Sequence, residues 1–256
     1  MLSNSTRGNS FCVFGRKPIL DAMREGKRFD KILLLKTATG DEPKLIHQIA
    51  REQEVPVQLV PKEKLEGIVR KYSKHKEANH QGVIGFLSMI EYQKLEDVIH
   101  QALEKGENPL LLILDGITDV GNFGAIARSA ECFGVHGLVI PATGAAQINA
   151  EAMKTSAGAL GNIHVCREKS LAMTVKFLKA NGFRVYAAHM KGTNIARADW
   201  QLPVAIIMGS EGDGVSGELR KLSDETITIP MSGQTESLNV SVSTGVILYE
   251  VIKSRG

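Results

Sequence analysis

The chain has 256 residues, of which 43% are hydrophobic and 23% charged, as expected for one large globular domain or two smaller ones. No apolar run approaches the length of a membrane span, and residues 1–10 lack the apolar core of a secretory signal. We therefore expect a cytoplasmic protein with a short disordered leader. Cys12, Cys132 and Cys166 lie far apart, which argues against a disulfide framework or a cysteine metal site.

Charge is distributed unevenly along the chain. Residues 1–90 carry 16 Lys and Arg against 10 Asp and Glu, whereas residues 91–256 carry 15 against 18. A basic first third suggests contact with a polyanion, although an ordinary lysine-rich surface explains the charge alone equally well.

Residues 11–88 are predicted to form a small α/β domain, with helices near 18–24, 43–53 and 62–70 and strands near 31–35, 56–60 and 82–87. Residues 70–81 read RKYSKHKEANHQ, which we interpret as a basic loop for phosphate contact, with an aromatic ring for base stacking. An ordinary exposed loop remains the alternative. The RNA-binding candidates are Arg70, Lys71, Tyr72, Lys74, Lys76 and His80.

Residues 89–107 are predicted to be a linker with a helix at 95–103, followed by a second domain at 108–256. In that domain strands near 110–114, 137–140, 163–165, 183–187 and 204–208 alternate with helices near 124–133, 149–160, 171–181 and 218–221. This alternation predicts a mainly parallel sheet whose ligand site lies at the carboxyl ends of the strands.

The tail at 227–249 reads ITIPMSGQTESLNVSVSTGVILY. A strand breaks at Pro230, a polar loop follows, and an uncharged segment with interleaved Ser and Thr runs from Leu238 to Tyr249. Because surface helices carry a charged face, we predict a helix that is buried on most sides and whose N-terminus faces a ligand. A core helix with satisfied hydroxyls is the alternative.

Two phosphate-binding motifs are nearly matched and are rejected. Gly116–Gly121 has the Walker A glycine spacing, but Asn122 stands where a lysine is required. Gly212–Gly217 fits GxGxxG, but the next strand begins too soon for a dinucleotide-binding unit. Histidines at metal-ligand spacing and a GxSxG nucleophile turn are also missing from the sequence, so a metal site and a serine nucleophile are not supported.

Glycines and uncharged polar side chains follow three of the strands, and charged side chains are few there. The residues are Asp119, Asn122, Gly124 and Arg128, then Gly209, Ser210, Glu211 and Gly212, then Pro230, Met231, Gly233, Ser237, Leu238 and Asn239. Loops of this kind suit an uncharged or zwitterionic adenosine-like ligand that is held by backbone groups.

The three stretches DGITDVGNFGAIARSAECFGVHGLVIP, IIMGSEGDGVS and IPMSGQTESLNVSVSTGVILYE resemble the signature motifs of the SpoU/TrmH family of RNA ribose 2′-O-methyltransferases, in the SPOUT superfamily. Residues 11–87 resemble the L30e-like substrate-binding domain of the family's 23S rRNA guanosine-2′-O-methyltransferases. One departure is Val120, where the family often has proline.

The resemblance implies a catalytic domain with a deep trefoil knot, S-adenosylmethionine as the methyl donor, and a homodimer whose active sites draw on both subunits. The implied cofactor contacts are Gly209, Ile229, Met231, Leu238 and Asn239, and the implied catalytic residues are Arg128, Asn122, Glu211, Ser237 and Asn239. The substrate favoured is 23S rRNA. The alternatives are a tRNA methyltransferase and a non-catalytic RNA-binding or ribosome-assembly protein.

Each residue also has a purely structural interpretation. Asn122 could cap the helix that follows it, Glu211 could be a loop carboxylate, and Arg128 could be a surface residue. Under the functional interpretation Arg128 grips a phosphate, Asn122 and Ser237 orient the ribose and phosphate, and Glu211 fixes the arginine or the loop.

Overall fold

The structure, a computed structural model, describes residues 11–73, 79–235 and 237–256. These residues fall into two compact units, one ending at Glu91 and the other beginning at Tyr92. The predicted leader lies outside the described residues. Of the helices that the structure describes, none is long and apolar enough to cross a bilayer.

The first unit is a sheet with helices on both faces. Its strands are β1 (Cys12–Phe14), β2 (Phe29–Leu35), β3 (Val57–Val60) and β4 (Val83–Leu87), in the order β1-β4-β2-β3, with β2 and β3 parallel. Its helices are α1 (Arg16–Arg24), α2 (Asp41–Glu52) and α3 (Lys62–Tyr72). Because side chains alternate along a strand, Ile32 and Leu34 of β2 pack with α1 and α2, whereas Leu33 packs with α3.

The second unit contains a parallel sheet in the order β11-β9-β10-β6-β7-β8-β5. Its strands are β5 (Tyr92–Gln93), β6 (Leu110–Asp115), β7 (Gly137–Pro141), β8 (His164–Glu168), β9 (Arg184–Asn194), β10 (Val204–Gly209) and β11 (Glu225–Thr228). Its α-helices are α4 (Leu95–Glu104), α5 (Val120–Cys132), α6 (Ala150–Thr155), α7 (Leu171–Ala180), α8 (Gly217–Leu222) and α9 (Val240–Arg255). The predicted α/β class with a mainly parallel sheet is confirmed, and the trefoil knot stays a prediction.

The central strands of this sheet are buried on both faces. Leu111 and Ile113 of β6 pack with α4, α7 and α8, while on the other side α5 packs against α6 and α9. The contact between α5 and α6 requires Gly124, because a Cβ atom there would lie 2.8 Å from Thr155 Cβ.

Several predicted element boundaries are wrong, and two of these differences have a clear physical reason. The helix expected over 149–160 ends at Thr155, since Ala157 and Gly158 both have positive φ, and a separate 3-10 helix follows at Ala159–Gly161. Strand β9 continues to Asn194 instead of ending at Ala187, because its second half pairs with β11 after a shift of register.

The prediction that the tail helix is buried on most sides is also wrong in part. Thr244, Ile247 and Leu248 of α9 are buried, but Val242 is 51% exposed and Tyr249 is 59% exposed. The uncharged sequence thus serves two faces, one packed in the core and one apolar at the surface.

Candidate active site

A pocket of about 290 Å³ lies at the carboxyl ends of β9, β10 and β11. Its walls come from three segments, 188–190, 208–214 and 227–247. Five side chains predicted to form the site line it, namely Glu211, Ile229, Met231, Ser237 and Leu238, together with Gly209. A cavity therefore lies at the edge of the sheet where the ligand site was predicted.

The turn after β10 leaves no room for a side chain at position 209. Gly214 N donates to Ser210 O at 3.0 Å, and Asp213 N donates to Ser210 Oγ at 3.2 Å. A Cβ atom on Gly209 would lie 1.9 Å from Gly214 C. Glycine at position 209 is therefore a requirement of the turn itself, which lays backbone along the pocket wall.

Asn239 joins the three sequence motifs. Its Oδ1 caps α9 by accepting from Ser241 N at 2.9 Å, and its Nδ2 donates to Asn122 Oδ1 at 3.0 Å and to Glu211 Oε1. Because both ends of the amide are occupied, the orientation of Asn239 is fixed. The cluster of Asn122, Glu211 and Asn239 stands beside the pocket that Glu211 lines.

Asn122 does not cap the helix that follows it. Asp119 is the N-cap of α5, and its Oδ1 accepts from Asn122 N at 2.7 Å. The Asn122 side chain is thus available to Asn239, so the capping interpretation of this residue is wrong and its catalytic role stays a prediction.

Arg128 is not brought into the pocket by its own chain. It lies exposed on α5 and is not among the residues that line the cavity. Within the described parts of the chain, no side chain forms an ion pair or hydrogen bond with its guanidinium. A catalytic role for Arg128 therefore needs a contribution from outside the single chain.

The predicted RNA-binding loop begins later than expected. Arg70, Lys71 and Tyr72 belong to α3, and the Tyr72 ring packs edge-on against Phe11, with 5.2 Å between centroids. Tyr72 also packs against Phe86, so its ring is part of the packing of the first unit, and its role in base stacking stays a prediction. His80 accepts at Nδ1 from Gly82 N at 3.0 Å, and Lys74 and Lys76 lie outside the described residues.

One wall of the pocket was not predicted. Ala188, His189 and Met190 of β9 line the cavity because the strand continues past the expected end of its pairing. The sequence offered little signal here, because the segment after Ala187 holds neither the alternation nor the turn residues that mark a site.

Other chemistries find little support among the described residues. No group of three or more His, Cys, Asp or Glu side chains there is placed to hold a metal ion. Burial raises the pKa of the Cys166 thiol to about 12, which leaves it protonated and unreactive at neutral pH.

Comparison with known proteins agrees with this geometry. The sequence model of the SpoU rRNA Methylase family matches residues 109–249, and the model described as RNA 2′-O ribose methyltransferase substrate binding matches residues 12–93. Together the pocket, the parallel sheet and these matches define an RNA methyltransferase. The chain belongs to the SpoU/TrmH family.

Relatives match over nearly the full length. The putative TrmH family tRNA/rRNA methyltransferase YacO of Bacillus subtilis (strain 168) is 32% identical over 244 residues, which is 95% of each protein. A putative TrmH family tRNA/rRNA methyltransferase of Staphylococcus aureus is 34% identical, over 95% of this chain and 96% of its own.

Solved structures share the fold. The SpoU methyltransferase AviRb from Streptomyces viridochromogenes, in complex with AdoMet, superposes with a TM-score of 0.59 at 23% identity, over 96% of this chain and 90% of its own. The A. aeolicus TrmH/SpoU tRNA modifying enzyme superposes with a TM-score of 0.54 at 28% identity, over 62% of this chain and 84% of its own.

Proposed function

We propose that this protein transfers the methyl group of S-adenosylmethionine to a ribose 2′-hydroxyl of RNA, and that the target is a guanosine of 23S rRNA. The observation that carries the proposal is the hydrogen-bonded cluster of Asn122, Glu211 and Asn239 beside an apolar pocket. It unites three motifs that are far apart in sequence and places fixed polar groups beside a cavity of ligand size.

The pocket fits the methyl donor in size and chemistry. Its volume of about 290 Å³ is close to the lower end of small-molecule sites, which run from about 300 to 1,000 Å³. Met208, Ile227 and Ile247 supply apolar walls for a nucleoside, and the glycine turn supplies backbone groups. When bound, S-adenosylmethionine supplies a methyl group on a sulfonium, which is a good leaving group.

The residues of the chain then position the ribose. A 2′-hydroxyl reacts only when it is placed in line with the methyl group and has a route for its proton. We assign Asn122, Asn239 and Ser237 to hold the ribose and phosphate, and Glu211 to fix the Asn239 amide. Arg128 would bind the neighbouring phosphate and lower the hydroxyl's pKa, with the proton passing to phosphate or water, because a guanidinium hardly ever deprotonates.

The site would be completed in a homodimer. Arg128 lies on α5, which packs beside α9 where Gly245 approaches Ser129. The exposed apolar stripe Val242, Val246 and Tyr249 runs along α9 at helical spacing. We propose that a second copy covers this stripe and that Arg128 then acts at the pocket of the partner subunit.

Ribosomal RNA is favoured by the layout of the chain. A solved structure titled rRNA methyltransferase, from Sinorhizobium meliloti, matches 96% of this chain, whereas the A. aeolicus tRNA enzyme matches 62% of it. Arg70 and Lys71, exposed at the end of α3, together with Lys74, Lys76 and His80 are the proposed RNA contacts. A tRNA substrate is the second candidate, because the curated relatives are named for both RNAs.

The test is methyl transfer in vitro. Purified protein with radiolabelled S-adenosylmethionine is offered 23S rRNA, ribosomal subunits and total tRNA, and calorimetry measures donor binding separately. We expect donor binding and label in 23S rRNA. Failure to bind the donor would leave a non-catalytic RNA-binding protein, and label in tRNA alone would favour the second candidate.

A further inference from the structure

Asp115 holds both ends of the turn that follows β10. It is the last residue of β6, and in the sheet it lies opposite Gly209, where the turn begins. Its Oδ2 accepts from Ser216 N at 2.7 Å, where the turn ends and α8 follows. Asp115 and Ser216 are 101 positions apart in sequence. A single residue of β6 therefore ties the whole turn to the sheet.

The turn at 210–215 forms one wall of the pocket. The residues from 209 to 214 line the cavity, and Glu211 also accepts from Asn239. Residues 211–214 are exposed, so packing contributes little to their conformation. The hydrogen bonds to Ser210 close the turn from within, and the bond to Asp115 attaches its far end. The shape of this wall therefore depends on a few hydrogen bonds.

The Asp115 carboxylate is engaged with the turn and is not part of the pocket surface. Among the residues that the structure describes, no Lys, Arg or His forms an ion pair with it. Asp115 is also not among the residues that line the cavity. Replacing this side chain therefore tests the bond to Ser216 without removing a contact to a bound ligand.

We propose that Asp115 is a positioning residue for donor binding, which keeps the turn at 210–215 in the conformation that lines the pocket. This role rests on the proposed function, because the methyl donor is the ligand that the pocket would bind. A protein that has its binding conformation only part of the time binds with an affinity reduced by that fraction. The bond to Ser216 N thus strengthens binding from a distance.

Calorimetry with S-adenosylmethionine measures the effect on binding. Asp115→Ala removes the acceptor, and we expect the affinity to fall about tenfold, as for a turn that is closed in one molecule of ten. Asp115→Asn keeps an acceptor oxygen and should retain most of the affinity. Asp199→Ala is the matched control, because Asp199 Oδ1 also accepts from a backbone N–H, that of Gln201 at 3.0 Å, away from the pocket lining. Its affinity should equal that of the wild type.

Hydrogen–deuterium exchange reports on the turn itself. In Asp115→Ala we expect faster exchange at the amides of residues 210–216, while β6 and β10 keep the protection of the wild type. Addition of S-adenosylmethionine should slow the exchange in the turn again, because the donor binds the closed conformation.

Three results would overturn the role of Asp115 alone. The first is wild-type affinity in Asp115→Ala. The second is an equal loss in Asp115→Ala and Asp115→Asn, which would assign the effect to negative charge. The third is faster exchange throughout β6 and β10, which would mean that Asp115 only stabilises the sheet. A wild-type protein that does not bind S-adenosylmethionine would overturn the proposed function as well.

Discussion

Asn239 is the residue on which the site depends most, because one amide both caps α9 and bonds to Asn122 and Glu211. Asn239→Ala removes both roles. We expect loss of methyl transfer by at least about 100-fold, as for misplaced reactants. Loss of the cap should cost about 0.5–2 kcal/mol of stability, which leaves the protein folded.

Ser170→Ala is the matched control for Asn239→Ala. Ser170 caps α7, accepting from Met173 N at 3.3 Å, and it is not among the residues that line the pocket. The Ser170→Ala variant should lose about as much stability in thermal unfolding as Asn239→Ala, and its turnover should be unchanged. If Asn239→Ala lost activity only by unfolding, the residue would return to a structural role.

Arg128→Lys tests the phosphate grip. Lysine keeps the charge but loses the planar fork that binds phosphate through two hydrogen bonds. We expect kcat to fall by at least about tenfold with RNA affinity nearly unchanged, measured by single-turnover transfer and RNA binding. Arg24→Lys, at an exposed ion pair with Asp21 in the first unit, is the control. Near-normal turnover of Arg128→Lys would show that two-point binding is not needed.

Asp224 makes the stability of the fold depend on pH, because its carboxylate bonds to both Val185 N and Lys179. Burial raises the pKa of its carboxyl, but the hydrogen bond from Val185 N and the Lys179 ammonium at 3.0 Å outweigh burial, so the pKa lies below its ordinary value of 3.8. The stabilisation is therefore complete above pH 3.8 and is lost as the pH falls through the folded-state value.

Asp224→Asn should accordingly destabilise the protein by about 1–2 kcal/mol at pH 7, with the difference from wild type shrinking below pH 3.8. Denaturant unfolding across pH measures it. Glu131→Gln, an exposed carboxylate of α5, should show no such trend. A difference that grows on acidification would contradict the sign.

At the scale of elements, the turn after β10 is the part of the site most constrained by sterics. Gly209→Ala places a Cβ atom 1.9 Å from Gly214 C, and backbone cannot move aside as a flexible side chain can. We expect a loss of about 3 kcal/mol or more, at the upper end for overpacking, together with loss of donor binding.

Gly212→Ala is the control in the same turn, because among the described residues nothing lies within 4 Å of its Cβ position. Thermal unfolding of both variants should show a large shift for position 209 and a small one for position 212. Equal shifts would mean that the turn is not closed as described.

The sequence predicted whole elements better than their ends. The parallel strands were recognisable because continuous apolar runs such as LLLIL and VAIIM are typical of strands buried on both faces. The sequence did not predict that β9 continues to Asn194. That part of the strand forms by pairing with β11, and pairing with a distant strand leaves no pattern in the local sequence. The exposed side of α9 was missed because an uncharged sequence does not distinguish a core from an apolar surface.

Contacts between distant parts of the chain also limited the prediction of the site. The site residues were chosen by their resemblance to the family, but no spacing rule joins Asn122 to Asn239, which are 117 positions apart. The packing of Tyr72 was not predicted because its neighbours Phe11 and Phe86 come from other elements.

In the whole molecule, a substitution that prevents dimerisation should also reduce catalysis, because the proposed active site uses both subunits. Val246→Glu places a charge in the exposed stripe of α9 without touching the core. We expect a monomer by light scattering and turnover reduced by at least about tenfold, with donor affinity retained, because burying an unpaired charge is costly. Met173→Glu, at an exposed apolar residue of α7, should remain dimeric and active. A fully active monomer would refute the shared site.

Mapping of 2′-O-methyl groups on rRNA and tRNA shows which nucleotide the protein methylates in the cell. RNA is compared from cells with the protein, without it, and with the Asn239→Ala variant. We expect that one guanosine of 23S rRNA loses its methyl group without the protein and does not regain it with the variant. An unchanged 23S rRNA, with or without a loss in tRNA, would contradict it.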